Sequence, residues 1–510
     1  MFTDTSTPAT LVGGIIFALI VAQLIWKSFK PCPLNAIPSV GIPQHPFGFY
    51  FGAWDFIKNG RAITEEGYLK YPGKAFKVAL ANRWLVVVNG RTLIEDLRNA
   101  SDDYVSLAEA TNSLLHLKHT IGQEQYRDPY QIAVIRTPMT RNIAGCFSDM
   151  RSEVVAAFED LVPAKTDEWI SLPAMQTVLP IVSRVSNRVF IGLQCRDPDY
   201  IQITTQFAVE VAQDAAWFHI TPTVLRPIAA LLFGHLETST RRAMKVVGPM
   251  LQHRIEMDDK YGADWPNGDR PNDLISWLLD EARGYPARRS VRTMTRTLLN
   301  VNFGAIHTTT QGFLHALYHI AEHGEYVESL RAEIEGVVKT EGWTKIAMGK
   351  MVKLDSFLKE SSRFAPGGSV SMLRQTLQPF TFSDGTTIPT GTLVGVPILA
   401  AHHDDANYAD ADTFDGGRFA RMREEGKEEG MGMGIRHGMV TPSLEFLTFG
   451  LGRHACPGRF FGVNEQKLMM AHLLVTYDLQ LRDGVRPPDE WIAHMGAANS
   501  TAEVMFRRRG

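Results

Sequence analysis

The chain has 510 residues, 45% hydrophobic and 21% charged, enough apolar sequence for a large core and too much for wholesale disorder. Lysine and arginine total 52 against 55 aspartate and glutamate, a net charge of −3, so no basic excess exists to attract nucleic acid. The four cysteines, Cys32, Cys146, Cys195 and Cys456, form no CxxC pair, which excludes a disulfide scaffold and a cysteine-rich zinc module.

Leu11 to Trp26 read LVGGIIFALIVAQLIW, 16 residues interrupted only by Gln23. A signal peptide is the competing reading, but it needs a positive segment before the apolar run, and here Asp4 precedes it while Lys27 and Lys30 follow. Residues 1–30 are therefore expected to be a single transmembrane anchor. The trailing positive charges put the body on the cytoplasmic side. Five prolines (31, 33, 38, 43 and 46) make 31–46 a stiff, extended hinge. Residues 47–510 form the expected catalytic body.

Within it, AFKVAL and WLVVVNG between 75 and 90 predict an early sheet. From about 140 the pattern turns helical. The 79 residues from Ala287 to Ala365 contain no proline and predict long helices over Ser290–His323, Glu325–Val338 and Lys353–Phe364. Beyond Pro366, SVSMLRQ, PFTFSDGTTIP with its Asp384–Gly385 turn pair, and TLVGVPIL predict short strands. His402–His403–Asp404–Asp405 reads as a solvated turn rather than a metal site. Arg421–Gly438, with five glycines among mixed charges, reads as a solvated loop. A last helix is expected over Gly458–Tyr477. The fold class is mainly α with minor β-sheet.

The most specific stretch is FGLGRHACPGRFFG, Phe449 to Gly462. Cys456 sits just before a helix N-terminus, where free amides and the helix dipole favour a thiolate. Such a thiolate suits haem iron as an axial ligand. A buried structural cysteine and a dinucleotide loop are the other readings; Gly450–Leu451–Gly452 lacks the third glycine and preceding strand of the latter. Glu360 and Arg363 stand at i, i+3 on one helix face. Gly304-Ala-Ile-His-Thr-Thr309 lies mid-way along the long helix, with small residues that leave room beside a flat ligand.

Taken in chain order, these motifs resemble those of the cytochrome P450 family. Phe449, Gly452, Cys456 and Gly458 match its haem loop FxxGxxxCxG, Glu360–Arg363 its ExxR pair, and 304–309 its oxygen-activating [A/G]GxDTT. The resemblance spans nearly the whole chain and is similar to fungal, membrane-anchored members of secondary metabolism. It implies the helix-rich triangular-prism fold of that family behind one transmembrane helix.

It also implies residue roles. Cys456 would be the axial ligand of haem b, with Phe449, Gly450 and Gly458 shaping its loop. His454 takes the place of a propionate-binding arginine, and Arg374 and Arg136 are candidate propionate partners. Glu360, Arg363 and Arg418, the last in FDGGRF, would form one structural network. Thr308 would be the hydroxyl that meets dioxygen and helps deliver protons. His307 replaces the usual carboxylate, so that a proton relay there must run through imidazole or water.

The implied activity is monooxygenation of a lipophilic molecule, terpenoid or steroid-like, with O2. With 54 residues after Cys456, no flavin domain is expected, and electrons would come from NADPH through cytochrome P450 reductase. Arg453 and Arg459 offer a basic face for such a partner. The implied location is the endoplasmic reticulum membrane, with a single pass. The rival readings are a haem isomerase, dehydratase or peroxygenase, and a non-catalytic haem sensor.

Overall fold

The proline-free block folds as three helices, and the first of them organises most of the molecule. The computed structural model describes residues 34–45, 47–81, 83–429 and 433–510. The expected anchor at 1–30, residues 31–33 and 46 of the hinge and Cys32 lie outside them. Among the described residues no helix is long and apolar enough to cross a membrane. The described residues form two compact units.

The smaller unit comprises 34–106, 373–397 and 491–494. Helices α1 (Gly48–Lys70) and α2 (Arg91–Asn99) accompany strands β1 (Ala75–Ala79), β2 (Trp84–Val88) and β3 (Val105–Ser106). Strand β4 (Ser371–Thr376) carries the chain into this unit, and β5 (Leu393–Val396) completes a five-stranded sheet in the order β1-β2-β5-β4-β3. β1 and β2 are antiparallel, with Ala75 opposite Val88, and β2 runs parallel to β5, with Leu85 opposite Leu393. Apolar residues on both faces explain the continuous burial of β1 and β5. The predicted Asp384–Gly385 turn closes a small hairpin in which Phe380 faces Ile388, with Gly385 at φ +85°. The end of the expected hinge is not free: Lys77 N donates to Pro38 O (2.8 Å) and Val40 N to Lys77 O (3.0 Å), and Leu34, Ile37 and Val40 are buried.

The larger unit, 107–372, 398–490 and 495–510, is helical. It contains α3 (Thr140–Leu161), α4 (Ala174–Ile191), α5 (Pro198–Ile220), α6 (Arg226–Phe233), α7 (Leu236–Tyr261), α8 (Val291–Glu322), α9 (Val327–Glu341), α10 (Val352–Phe364), α11 (Arg418–Glu429) and α12 (Arg459–Thr476). Ser290 starts α8 by accepting Thr293 N at 3.1 Å, one residue from the predicted start. The 32 residues of α8 pack against α4, α5, α7, α10 and α12. That central position explains why Leu314, Leu317 and Tyr318 are fully buried. Strands 170–173, 503–508 and 477–481 form an antiparallel sheet of their own.

Two sequence expectations fail in this unit. Arg421–Gly438 is not a loop throughout: its first half continues α11, followed by a 3-10 turn at Met433–His437. Arginine, glutamate and lysine are good helix formers, and one interior glycine, Gly426, costs only about 1 kcal/mol. Ala420 N, donating to Ser356 Oγ at 2.9 Å, ties the first turn of α11 to α10. His402 is not in a solvated turn either: it ends a short helix, Ile398–His402, and is fully buried.

Candidate active site

Cys456 lies in a loop held open by glycine. Gly450 (φ +66°) and Gly452 (φ +72°) adopt backbone angles that other residues rarely take. The turn closes where Cys456 N donates to Phe449 O (2.8 Å) and Ala455 N to Gly452 O (3.1 Å). Gly458 caps α12, and the backbone N–H groups of Gly458 and Arg459 point at the Cys456 sulfur. Burial pushes this thiol up from its ordinary value, while those two amides and the Arg459 guanidinium pull it down. Cys146 and Cys195 differ: both are buried, their thiols pushed up to about 11 and about 12 chiefly by desolvation. Among the described cysteines, Cys456 alone is half-buried and amide-supported.

Behind the loop, Arg363 donates Nε and Nη2 to the two carboxylate oxygens of Glu360, at 2.8 Å each. Arg418 Nε reaches Glu360 Oε1 at 3.1 Å, and Asp415 N the same oxygen at 3.0 Å. Glu360 and Arg363 are fully buried, so this is the network expected from sequence, drawn together from α10 and the start of α11. Sequence reasoning missed its link to the cysteine loop. His402 Nδ1 donates to Arg363 O (3.0 Å), and its Nε2 accepts Leu447 N (3.1 Å). Thr448 Oγ1 adds a second tie, to Ser362 O (3.1 Å). The apolar run VGVPILAA before His402 was the available signal of burial.

The middle of α8 supplies the other side of the site. Thr308 and Gly304 are exposed, although α8 is otherwise deeply buried, and a Cβ added at Gly304 would meet no heavy atom within 4 Å. Thr308 Oγ1 donates to Gly304 O at 2.9 Å. One residue on, a Cβ at Gly462 of α12 would come 3.9 Å from Thr309 Oγ1, so this part of α8 abuts the helix that follows Cys456. His307 does not stand free beside Thr308: its Nε2 is 2.9 Å from Thr205 O on α5.

The arginines separate. Arg136 is exposed, and its Nη2 donates to Arg453 O at 3.1 Å, beside His454 in the 3-10 turn Gly452–His454. Arg374 is buried in β4 and belongs to the smaller unit. Arg459 is committed to Val440 O and Cys456 O (3.1 and 3.0 Å), so it is not the free basic surface expected. Among the described residues no His, Cys, Asp or Glu cluster could hold a metal ion on its own.

The family model for cytochrome P450 matches residues 43–505. The chain belongs to the cytochrome P450 family. It is 41% identical over 495 residues to cytochrome P450 monooxygenase 151 of Postia placenta, covering 97% of this chain and 98% of that one. It is 32% identical over 481 residues to cytochrome P450 monooxygenase CYP512U6 of Ganoderma lucidum, covering 94% and 92%. The fold is similar to that of cyanobacterial CYP120A1 solved with retinoic acid, at TM-score 0.66 and 18% identity, over 92% of this chain and 99% of that chain.

As a cytochrome P450, the protein is a haem-thiolate monooxygenase. Its residues fit the cofactor: one thiol supported by two amides, and a helix face of Gly304, Ala305 and Thr308 with space beside it. When bound, haem supplies the activation of dioxygen and the oxidation of a C–H bond. The chain would offer the Cys456 sulfur to hold it, the buried network tied to that loop, and the exposed Thr308 hydroxyl on α8.

Proposed function

We propose that this monooxygenase oxidises a large, lipophilic, neutral small molecule, terpenoid or steroid-like. The observation that carries this is the composition of the α8 face at the site. Phe303, Gly304, Ala305 and Thr308 offer apolar surface and one hydroxyl, and the titratable residue within this turn, His307, is committed to Thr205. A charged substrate would find no counter-ion on this face. Cys456 is the axial ligand of haem b in this reading, Thr308 the hydroxyl that positions dioxygen and protons, and the Glu360–Arg363–Arg418 network the brace of the ligand loop.

Electrons come from NADPH through a separate cytochrome P450 reductase, in the endoplasmic reticulum membrane with the body facing the cytoplasm. The apolar run at 11–26 supports the membrane attachment. So do Val224, Ile228, Leu231, Leu232 and Phe233, which are 56–83% exposed on and beside α6, a helix with no buried residue. Reconstitution of the full chain with reductase, NADPH and lipid, followed by product analysis over a terpenoid and steroid panel, tests the reading. Hydroxylated products are expected. Turnover confined to small charged compounds would overturn it.

A further inference from the structure

We infer that His307 is a positioning residue that pins α5 to α8 beside the reacting centre. A backbone carbonyl can only accept, so the 2.9 Å contact with Thr205 O fixes the hydrogen on Nε2. The rest of the crossing is mostly apolar: Phe207 meets Phe303 edge-on at 6.5 Å, in a cluster with Ile203, Val211 and Leu299. The other side-chain hydrogen bond described between the two helices is long, Asn302 Nδ2 to Tyr200 OH at 3.4 Å, and Asn302 also donates to Leu298 O at 2.8 Å. Past Thr205 one face of α5 stays packed, with Phe207, Val211, Ala215 and Phe218 buried, while Val209, Trp217 and Ile220 form its exposed face. His307 therefore adds a polar tie within an otherwise apolar crossing. Thr308 is the next residue on α8, so the same tie fixes the helix turn that presents its hydroxyl.

The consequence runs against the family pattern. The aspartate that usually occupies this position has no donor for Thr205 O and would put a carboxylate opposite a carbonyl oxygen. Glutamine, which cannot titrate, keeps a donor. The value of the tie for catalysis rests on the monooxygenase reading above; the contact itself does not.

Hydrogen–deuterium exchange of the full haem-loaded chain, carrying H307D, H307Q or no change, tests it. Haem content per chain is measured alongside to show that each variant is folded. H307D is expected to speed amide exchange over 201–212 at least fivefold, and H307Q to stay within twofold of the parent. Should H307D fail to load haem, the H307A and H307Q pair replaces it, with fast exchange in the first and rescue in the second. Equal exchange in all variants, or H307Q as fast as H307A, overturns the inference whatever reaction the enzyme performs. If exchange behaves as expected while loss of the Thr308 hydroxyl leaves turnover untouched, the reading of the site falls and the tie stands.

Discussion

Arg363 and His402 grip each other twice. Arg363 Nη1 donates to the His402 carbonyl, and His402 Nδ1 returns a hydrogen bond to the Arg363 carbonyl at 3.0 Å. Because His402 Nε2 also accepts Leu447 N, nine residues before Cys456, the arginine of α10 is one residue removed from the ligand loop. Rigidity passes from a buried ion pair, through a neutral imidazole, to the strand of chain that presents the sulfur.

The first prediction concerns the source of that rigidity. Glu360→Ala leaves the Arg363 guanidinium fully buried, and that of Arg418 nearly so, with no carboxylate between them. Removing one partner of a buried pair costs about 3–5 kcal/mol. The yield of haem-loaded protein should collapse, and surviving chains should unfold at lower denaturant. Normal yield and normal haem content would show that the carboxylate does not brace the loop.

The second prediction concerns acid. His402, His315 and His472 are each lowered to about 3, and His319 well below its ordinary value, in every case chiefly because burial penalises the imidazolium. Their folded values lie below the unfolded value of about 6.5, so between these limits the unfolded chain binds more protons. The stability they contribute is complete above about pH 6.5 and falls as pH drops toward 3, by about 1.4 kcal/mol per pH unit for each histidine. Denaturant midpoints at pH 7.5, 6.5 and 5.5 measure the slope. His472 packs edge-on against Phe158 at 5.2 Å, so His472→Phe keeps an aromatic ring and should reduce proton uptake on unfolding by about one. An unchanged slope would show that this ring is already charged in the folded state.

What the sequence disclosed and what it hid follow from range. The start of α8 was legible because Ser290 caps it locally and Pro286 lies just before it. The haem loop and the Glu360–Arg363 pair were legible because their chemistry is written in short spacings. Arg421–Gly438 was misread because local glycine content outweighed a tie to Ser356, 64 residues away. His402 looked solvated because its neighbours His403, Asp404 and Asp405 are polar, while its partners, Arg363 and Leu447, are 39 and 45 residues distant. The tie of His307 to Thr205 was hidden because Thr205 lies 102 residues earlier. Long-range partners of single polar side chains leave no periodic signal.

The third prediction isolates the sulfur. Cys456→Ser keeps the backbone N–H that closes the turn on Phe449 O, so the loop should persist. The hydroxyl is no substitute for a soft thiolate ligand. The carbon monoxide difference spectrum of the reduced protein should lose its thiolate signature, and turnover should vanish with it. Cys146 and Cys195 cannot replace it, being buried in the core with their thiols held protonated. A thiolate signature surviving in Cys456→Ser would place the ligand elsewhere.

The last prediction separates the hydroxyl of Thr308 from its shape. Its one hydrogen is directed to Gly304 O at 2.9 Å, with Ala305 O at 3.3 Å, which leaves the oxygen lone pairs to accept from water or substrate. Monooxygenation needs a proton delivered at the right atom and moment; without that delivery dioxygen is released as hydrogen peroxide and NADPH is consumed for nothing. Thr308→Val keeps the β-branched shape but removes both donor and acceptor, and Thr308→Ser keeps both. Product formed per NADPH consumed should fall about a hundredfold in the valine variant, the lower end of what positioned proton transfer contributes, and stay within about twofold in serine. Peroxide should rise in proportion to the lost product. If the valine variant couples as well as the parent, the hydroxyl has no part in proton delivery, and Thr308 contributes only a small β-branched shape to the open face of α8.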